Sequence, residues 1–374
     1  MNKSTLNSFL KAFLVIFFLY LFLVSIGLMS VAFKGFGKDF AENLIKTTSN
    51  PFVGLFIGIL ATSIIQSSST TTSIVVGMVA SGVITVGNAI PIVMGANIGT
   101  TVTNTLVSLG HFTRREEFKR AVSGATVHDF FNLICVAILF PLELATGFLQ
   151  RIATRMSALF VDFGGIKFSS PIKLATKPTI NFIRDLFTKS LNISHVAYFL
   201  ILIVSVIILF FSLYFIVRLM KSLVIKRVET TLDNALSKNG LLGIACGLIF
   251  TTIVQSSSVT TSLLIPLIAA GILTVEAAFP VTLGANIGTT TTAILASFAT
   301  GNISAIIIAF VHFLFNAIGI LLIYPIKTFR VIPINLAKGL GNLSFRRRRY
   351  ALFYVISVFF LIPAILITIS KLFK

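Results

Sequence analysis

The sequence predicts an all-α integral membrane protein made of two inverted-topology repeats. Each repeat would hold a re-entrant helical hairpin, and one extra helix would follow at the C-terminus. Three observations carry this. Of 374 residues, 56% are hydrophobic and only 11% charged, against about 25% charged in a soluble domain. A long motif occurs twice: residues 54–108 and 243–297 align without a gap at an offset of 189, identical at 27 of 55 positions. The apolar segments also come in two lengths, and the short ones flank the same tetrapeptide, Gln-Ser-Ser-Ser.

The elements follow in order. Lys3 and Lys11 precede an apolar run from Ala12 to Phe33. That run is too long for a signal-peptide core and no A-x-A site follows, so a first spanning helix is expected over 9–31. Residues 34–50 are charged and amphipathic and read as an interfacial helix. Segments 52–65 and 70–84 are each shorter than the ~20 residues a span needs, and they bracket Gln66–Ser69. They read as one re-entrant hairpin, 52–84, with its tip near mid-membrane. Irregular backbone survives there only inside protein or along a water-filled cavity. Spans at 87–108 and 127–148 complete the first repeat, 1–148.

A basic linker, 149–194, leads to the second repeat, 195–326. It has a span at 195–218, an interfacial helix at 219–240, a hairpin at 241–274 around Gln255–Ser258, and spans at 277–298 and 302–326. A basic loop and a terminal span at 351–370 fill 327–374. The terminal span has no partner in the first half and is expected at the periphery. Three crossings per repeat is an odd number, so the repeats are expected to be inverted.

The formal charge of +19 would suggest nucleic acid in a soluble protein. Here Lys and Arg lie between apolar segments, as in Arg346–Arg349, and read as topology determinants facing anionic lipid. With the N-terminus in the cytoplasm, three basic segments face inward: 109–126 (Arg114, Arg115, Lys119, Arg120), 219–240 (Lys221, Lys226, Arg227, Lys238) and 327–350. The linker 149–194 runs against the rule, since it is basic and would lie outside. Cys135 and Cys246 sit in apolar stretches without metal-ligand neighbours. No nucleophile elbow, Walker loop or HExxH is present, so neither an enzyme nor a cofactor is expected.

The chemistry lies in the duplicated segment, which contains no Lys or Arg. The first copy offers Gln66, Ser67, Ser68, Ser69, Asn97, Thr100 and Thr103. The second offers Gln255, Ser256, Ser257, Ser258, Asn286, Thr289 and Thr292. Hydroxyl and amide oxygens suit a hard cation such as sodium. Hydroxyl hydrogens and the free N–H groups of a broken helix suit an oxyanion. Both at one place suggest cation-coupled anion binding. With no fixed basic side chain in the segment, bound cations would supply the charge a dianion needs. For a single Ser or Thr, interhelical packing is the plainer reading; two identical QSSS–GANIGTT cassettes favour a binding site. The glycines Gly95, Gly99, Gly284 and Gly288 allow either close packing or a helix break.

A third feature breaks the repetition. In GATVHDFFN, an offset of 184 pairs His128 with His312 and Asn132 with Asn316, while Asp129 meets Phe313. An acid entering a span is a candidate cation site, against the alternative of a structural ion pair with a nearby arginine. The two histidines read as hydrogen-bonded structural residues.

Two QSSS motifs with GANIGTTVTNT, GATVHDFFN and GANIGTTTTAIL closely resemble the type II sodium-phosphate cotransporter family, here a minimal bacterial member. The resemblance covers about 9–148 and 195–326. It implies that the two QSSS tips, Gln66–Ser69 and Gln255–Ser258, meet and bind phosphate. It implies sodium sites at Gln255, Thr289 and Thr292, with Gln66, Thr100 and Thr103 as first-repeat counterparts and the motif asparagines Asn97 and Asn286 beside them. It also implies an additional sodium at Asp129, so that three sodium ions accompany one HPO4 dianion. The expected partners are sodium, inorganic phosphate and membrane lipid, with no nucleic acid and with a homodimer as the assembly considered. The expected place is the bacterial inner membrane. Alternatives that the residues leave open are proton coupling, another anion, export, a channel, or a sensor that binds without transport. Ala285 stands where many family members have Ser, so any ligand there must be backbone carbonyl.

Overall fold

The computed structural model describes residues 3–161, 171–190, 194–236 and 240–372, and every regular element among them is helical. The first half runs α1 (Lys3–Gly35), α2 (Lys38–Thr48), α3 (Pro51–Ile65), α4 (Ser68–Ser81), α5 (Val86–Gly99), α6 (Val102–Ser108) and α7 (Arg115–Thr146). Two helices, α8 (Phe148–Val161) and α9 (Pro171–Ser190), lie in the linker. The second half runs α10 (Ser194–Leu236), α11 (Gly240–Val254), α12 (Ser257–Ala269), α13 (Val275–Thr300) and α14 (Ile303–Ile323). Helix α15 (Lys327–Arg346) follows. The terminal segment is α16 (Arg349–Val355), a π-helical turn at Ile356–Leu361 and α17 (Ile362–Leu372).

Local chemistry sets the starts. Asn50 accepts from the backbone N–H groups of Phe52 and Val53 at 3.0 and 3.4 Å, with Pro51 at the first helical position, where its missing N–H costs nothing. Thr85 caps α5 through Asn88 N at 3.1 Å, and Thr274, 189 residues on, caps α13 through Ala277 N at 3.2 Å. The duplication therefore extends to the caps.

Several boundaries differ from expectation. Helix α7 begins twelve residues before 127, because Glu116 and Glu117 favour a helix N-terminus and the sequence after Arg114 has no breaker. The basic stretch 327–350, expected as a loop, is mostly α15, which packs along α7. The segment 219–240 is no separate interfacial helix up to Leu236; its backbone continues α10 unbroken. The first-half counterpart α2 is separate and meets α3 at 98°. Residues 162–170 and 237–239, with Lys167 and Lys238, lie outside the described residues.

Among the described helices, five are long and apolar enough to cross a membrane: Phe9–Gly35, Arg115–Thr146, His195–Met220, Ile303–Ile323 and Arg349–Ser370. The expected spans 87–108 and 277–298 are not in this set. The first is broken at Thr100–Thr101, and the second is one helix whose Thr, Gly and Asn content lowers its hydropathy. Both are buried by other helices, so protein and not lipid solvates them.

The two halves interlock. Helix α4 packs on α13 and α14 of the second half, and α12 packs on α6 and α7 of the first. Between them lies a buried core that includes Met29, Val76, Met94, Phe131, Phe279 and Phe315. Within each half the motif helices meet backbone to backbone. A Cβ on Gly95 would lie 2.0 Å from the Leu55 carbonyl oxygen, and one on Gly284 would lie 1.9 Å from that of Ile244. These glycines are close-packing positions inside continuous helix. Lipid provides no hydrophobic drive between helices, so such approach is a main source of cohesion.

Gly284→Ala should therefore force α11 from α13 and destabilise the protein by about 1–3 kcal/mol. Gly339→Ala, where an added Cβ meets nothing within 4 Å, is the matched control. Thermal unfolding in detergent checks this; equal midpoints for the two variants would refute the close-packing assignment.

Candidate functional site

Each QSSS motif forms the turn between two helices. Helix α3 ends at Ile65, Gln66 turns left-handed at φ 59°, and Ser67 is extended at φ −150°. Gln255 has φ 59° and Ser256 φ −153°. Both glutamine N–H groups donate to a threonine carbonyl four residues back, Thr62 and Thr251, at 2.7 Å. Ser67 then accepts from Thr70 N at 3.2 Å, and Ser256 from Val259 N at 3.4 Å. Among the described residues these two glutamines are the only non-glycine residues with positive φ. Such a conformation costs of order 1–2 kcal/mol, and strain of this kind concentrates at functional sites.

The fold brings the two turns to one cavity of about 500 Å³. Ser67 and Ser69 line it from the first half, Gln255 and Ser256 from the second. Its remaining wall comes largely from α10, through Phe210, Tyr214 and Arg218 among others. Of the other predicted residues, Ser68 and Ser257 are buried outside the lining, Ser258 is half-buried, and Gln66 is exposed with its carbonyl accepting from Thr103 Oγ1 at 3.5 Å. The segment itself lacks a basic residue, but the folded cavity does not, because Arg218 reaches it from a neighbouring helix.

The predicted cation ligands are only partly assembled. Thr292 Oγ1 donates to Gln255 Oε1 at 2.7 Å, and Gln255 Nε2 donates to the Thr252 carbonyl at 2.5 Å. This fixes one oxygen-rich corner. The Thr100 and Thr289 hydroxyls donate to the carbonyls of Ala96 and Ala285, each at 3.0 Å.

Asn97 and Asn286 have another task. His128 Nε2 donates to Asn286 Oδ1, and Asn286 Nδ2 donates to Asn132 Oδ1 at 3.0 Å. In mirror fashion, His312 Nε2 and Asn316 Nδ2 donate to Asn97 Oδ1 at 3.3 and 3.1 Å. Asn132 Nδ2 joins the two sets by donating to the Asn97 carbonyl at 2.9 Å. Each half thus supplies the histidine and asparagine that hold the other half's motif asparagine. Facing an amide oxygen, each histidine must carry its proton on Nε2.

Asp129 is fully buried on α7. It lies beside the hydroxyls of Thr101 and Tyr354, yet neither carboxylate oxygen meets hydrogen-bond geometry with a described residue. None of the ion pairs among the described residues includes it, so the ion-pair alternative loses support. Thr101 stands at the break between α5 and α6, and Tyr354 comes from the terminal segment expected to be peripheral. That segment is mostly exposed, but Tyr354 on its inner face closes over the acid. Sequence reasoning missed Tyr354 and Arg218. Only Arg218 left a signal, as the charged end of the Phe210–Tyr214–Arg218 stripe at helical spacing.

A sequence model of the Na+/Pi-cotransporter family matches residues 21–169 and 208–323. The chain is 38% identical over 443 residues to sodium-dependent phosphate transport protein 2B of Homo sapiens, which aligns 94% of this chain and 64% of that protein. It is likewise 38% identical to protein 2B of Pongo abelii. To protein 2A of Rattus norvegicus it is 37% identical over 432 residues, 96% of this chain and 68% of that protein. The chain spans a little under two thirds of the length of these 2B relatives. No solved structure matches.

The reciprocal brace has a measurable consequence. Asn286→Ala orphans His128 and Asn132 together and should destabilise the fold by about 1–3 kcal/mol. Combined with Asn132→Ala, the loss should fall well short of additive, because both changes break one network. Additive losses in detergent unfolding would show that the network does not act as a unit.

Proposed function

The chain belongs to the Na+/Pi-cotransporter family, and from that membership we propose that it is a sodium-coupled symporter of inorganic phosphate. It would work by alternating access in a bacterial inner membrane, with its N-terminus in the cytoplasm. The observation that carries this is the meeting of both QSSS turns at one cavity. The matched relatives bear the name sodium-dependent phosphate transport protein, and that chemistry suits the cavity.

Helices α4 and α12 begin at these turns, so their N-terminal N–H groups and dipole ends favour an anion there, with Ser67, Ser69 and Ser256 as hydroxyl donors. Sodium would bind at Gln255 and Thr292 with Thr289, and in the first half near Gln66, Thr100 and Thr103. We leave Asn97 and Asn286 out of this set because the brace occupies them. The buried carboxylate of Asp129 would take an additional sodium, with Thr101 and Tyr354 as neutral neighbours. A buried carboxylate without partners is too costly to persist uncompensated, which supports a cation there.

The helices flanking each turn also support re-entrant hairpins. They hold 15 and 14 residues in the first half, 15 and 13 in the second, or about 20–22 Å at 1.5 Å per residue, short of the ~30 Å hydrocarbon layer. Their common offset and the odd number of crossings support inverted repeats at 1–148 and 195–326.

Coupling then follows from charge. The hydroxyls that meet phosphate are neutral, and the single charge of Arg218 does not balance a dianion, so phosphate binds well only after cations have entered. If three sodium ions accompany one HPO4 dianion, each cycle moves one net charge, gaining about 2.3 kcal/mol per 100 mV of membrane potential.

Radiolabelled phosphate uptake into proteoliposomes tests the reading. Uptake should require external sodium and rise with an inside-negative potential; uptake indifferent to sodium would overturn symport. Asp129→Asn should keep part of the uptake but abolish phosphate-induced current, and a persisting current would remove Asp129 from the charge count. Ser69→Ala, which caps no helix, should raise the phosphate KM about 3- to 10-fold, the loss of one net hydrogen bond; an unchanged KM would remove Ser69 from the phosphate site.

A further inference from the structure

The cavity between the QSSS turns has one asymmetric wall. Phe210, Leu213, Tyr214, Val217 and Arg218 of α10 all line it. Their spacing of three, one, three and one is one face of an α-helix, so one face of the last turns of this span is turned on the cavity. Four of the five are apolar or phenolic. Arg218 is the only charged residue in the lining among the described residues.

Arg218 is poised rather than consumed. Its Nη1 donates to Tyr214 Oη at 3.4 Å, one turn back along the same face. That contact anchors the guanidinium over the cavity wall and uses one of its five N–H donors. None of the ion pairs among the described residues includes it. The residue is exposed, while Ser67, Ser69, Gln255 and Ser256 present only neutral groups. The duplication does not predict it either. The same offset of 189 leads from Arg218 to Met29, which is buried against Gly77.

We propose that Arg218 is an anion-contact residue of this cavity, at the end of α10 that the topology above turns to the cytoplasm, and that it holds the phosphate dianion by charge-assisted hydrogen bonds beside the serines of the two turns. This rests on the transport function proposed above and adds to it a residue outside both motifs. The physical case is that a planar, permanently charged fork matches two phosphate oxygens at once. Apolar walls such as Phe210 and Leu213 concentrate its field along the cavity. An arginine serves both oxyanion recognition and discrimination, since a monoanion of similar size would gain less from the same contact.

The test is phosphate uptake by the full chain in proteoliposomes under a sodium gradient. Arg218→Gln should raise the phosphate KM about tenfold or more, the usual scale for a hydrogen bond to a charged group. The sodium concentration giving half-maximal rate at saturating phosphate should stay within about twofold, since no sodium ligand is touched. Arg218→Lys should recover part of the affinity. The phosphate KM of the parent should rise with ionic strength, and that of Arg218→Gln should not. Tyr214→Phe, which removes the anchor without removing charge, should raise the KM by a smaller factor; it and Arg218→Lys carry the test if the Gln variant does not fold. An unchanged phosphate KM in Arg218→Gln, or a Lys variant no better than Gln, would overturn the assignment and leave Arg218 as a side chain reaching lipid headgroups. A parent that shows no sodium-driven uptake would strike the transport reading itself, whereas a working parent with an unaltered variant strikes Arg218 alone.

Discussion

The constraint on which the rest of this structure depends is that a polar group buried among membrane helices must find its partner within the protein. The chain places two asparagines, Asn97 and Asn286, at matching points of its duplicated segment. Neither half satisfies its own. Helix α7 of the first half brings His128 and Asn132 to Asn286, and α14 of the second brings His312 and Asn316 to Asn97. A single half folded alone would leave its histidine Nε2 and the side-chain oxygen of its motif asparagine without these partners in an apolar interior. The duplication is therefore more than repetition, because each copy completes the other. The Asn132 amide, which touches both motif helices, is the point where the halves become one body.

This brace fixes α5 and α13 relative to α7 and α14, and the glycines let α3 and α11 lie against those fixed helices at backbone distance. The position of each QSSS turn then has little freedom. It stands at the end of a helix whose neighbour is held by hydrogen bonds from the other half. The left-handed glutamines complete the arrangement. Gln66 and Gln255 share the strained backbone, but only Gln255 has its side chain tied at both ends, to Thr292 and to the Thr252 carbonyl, so the ties place its amide oxygen rather than its backbone. A glycine would relieve the strain but would offer no oxygen at that corner.

Much of this was legible in the sequence, for physical reasons that differ from element to element. The turns at Gln66 and Gln255 were visible because two short apolar segments around a polar tetrapeptide have few other solutions in a membrane. The pairing of His128 with His312 followed from the repetition, which also places Thr85 and Thr274 at equivalent caps. Other features were hidden because apolarity is a poor guide to them. The helix at Lys327–Arg346 is basic and lies along α7, so no hydropathy reading finds it. The break at Thr100–Thr101 occurs in one copy of GANIGTT and not in the other, although the letters agree. The sequence around Asp129 showed an acid entering a helix; it could not show that Tyr354, more than two hundred residues later, would cover it. Nothing in the sequence beyond its helical stripe singles out Arg218, because only the fold turns that face of α10 toward the two turns.

The departures from symmetry are the informative part. Identical cassettes alone would build two equal halves, yet the halves differ, and three of the differences surround the cavity or the acid. Asp129 stands where the second half has Phe313. Helix α5 breaks beside that acid where α13 runs on. Helix α1 packs along α4, the helix after its turn, whereas its counterpart α10 packs along α11, the helix before. The last difference leaves the face of α10 that carries Tyr214 and Arg218 against open space between the turns. In an inverted-repeat transporter, the two halves exchange arrangements as access passes from one side to the other. On the function proposed here, the α1–α4 contact and the α10–α11 contact are the two halves of such an exchange. The state with the roles reversed would close the present cavity by bringing α10 onto α12. Met29, already seated against Gly77 in the first half, marks the position Arg218 would approach in that closed arrangement. An arginine cannot settle into such a packed site as a methionine does. On that reading, closing this wall would require the guanidinium to leave the cavity, so that anion contact and closure would exclude each other at a single residue.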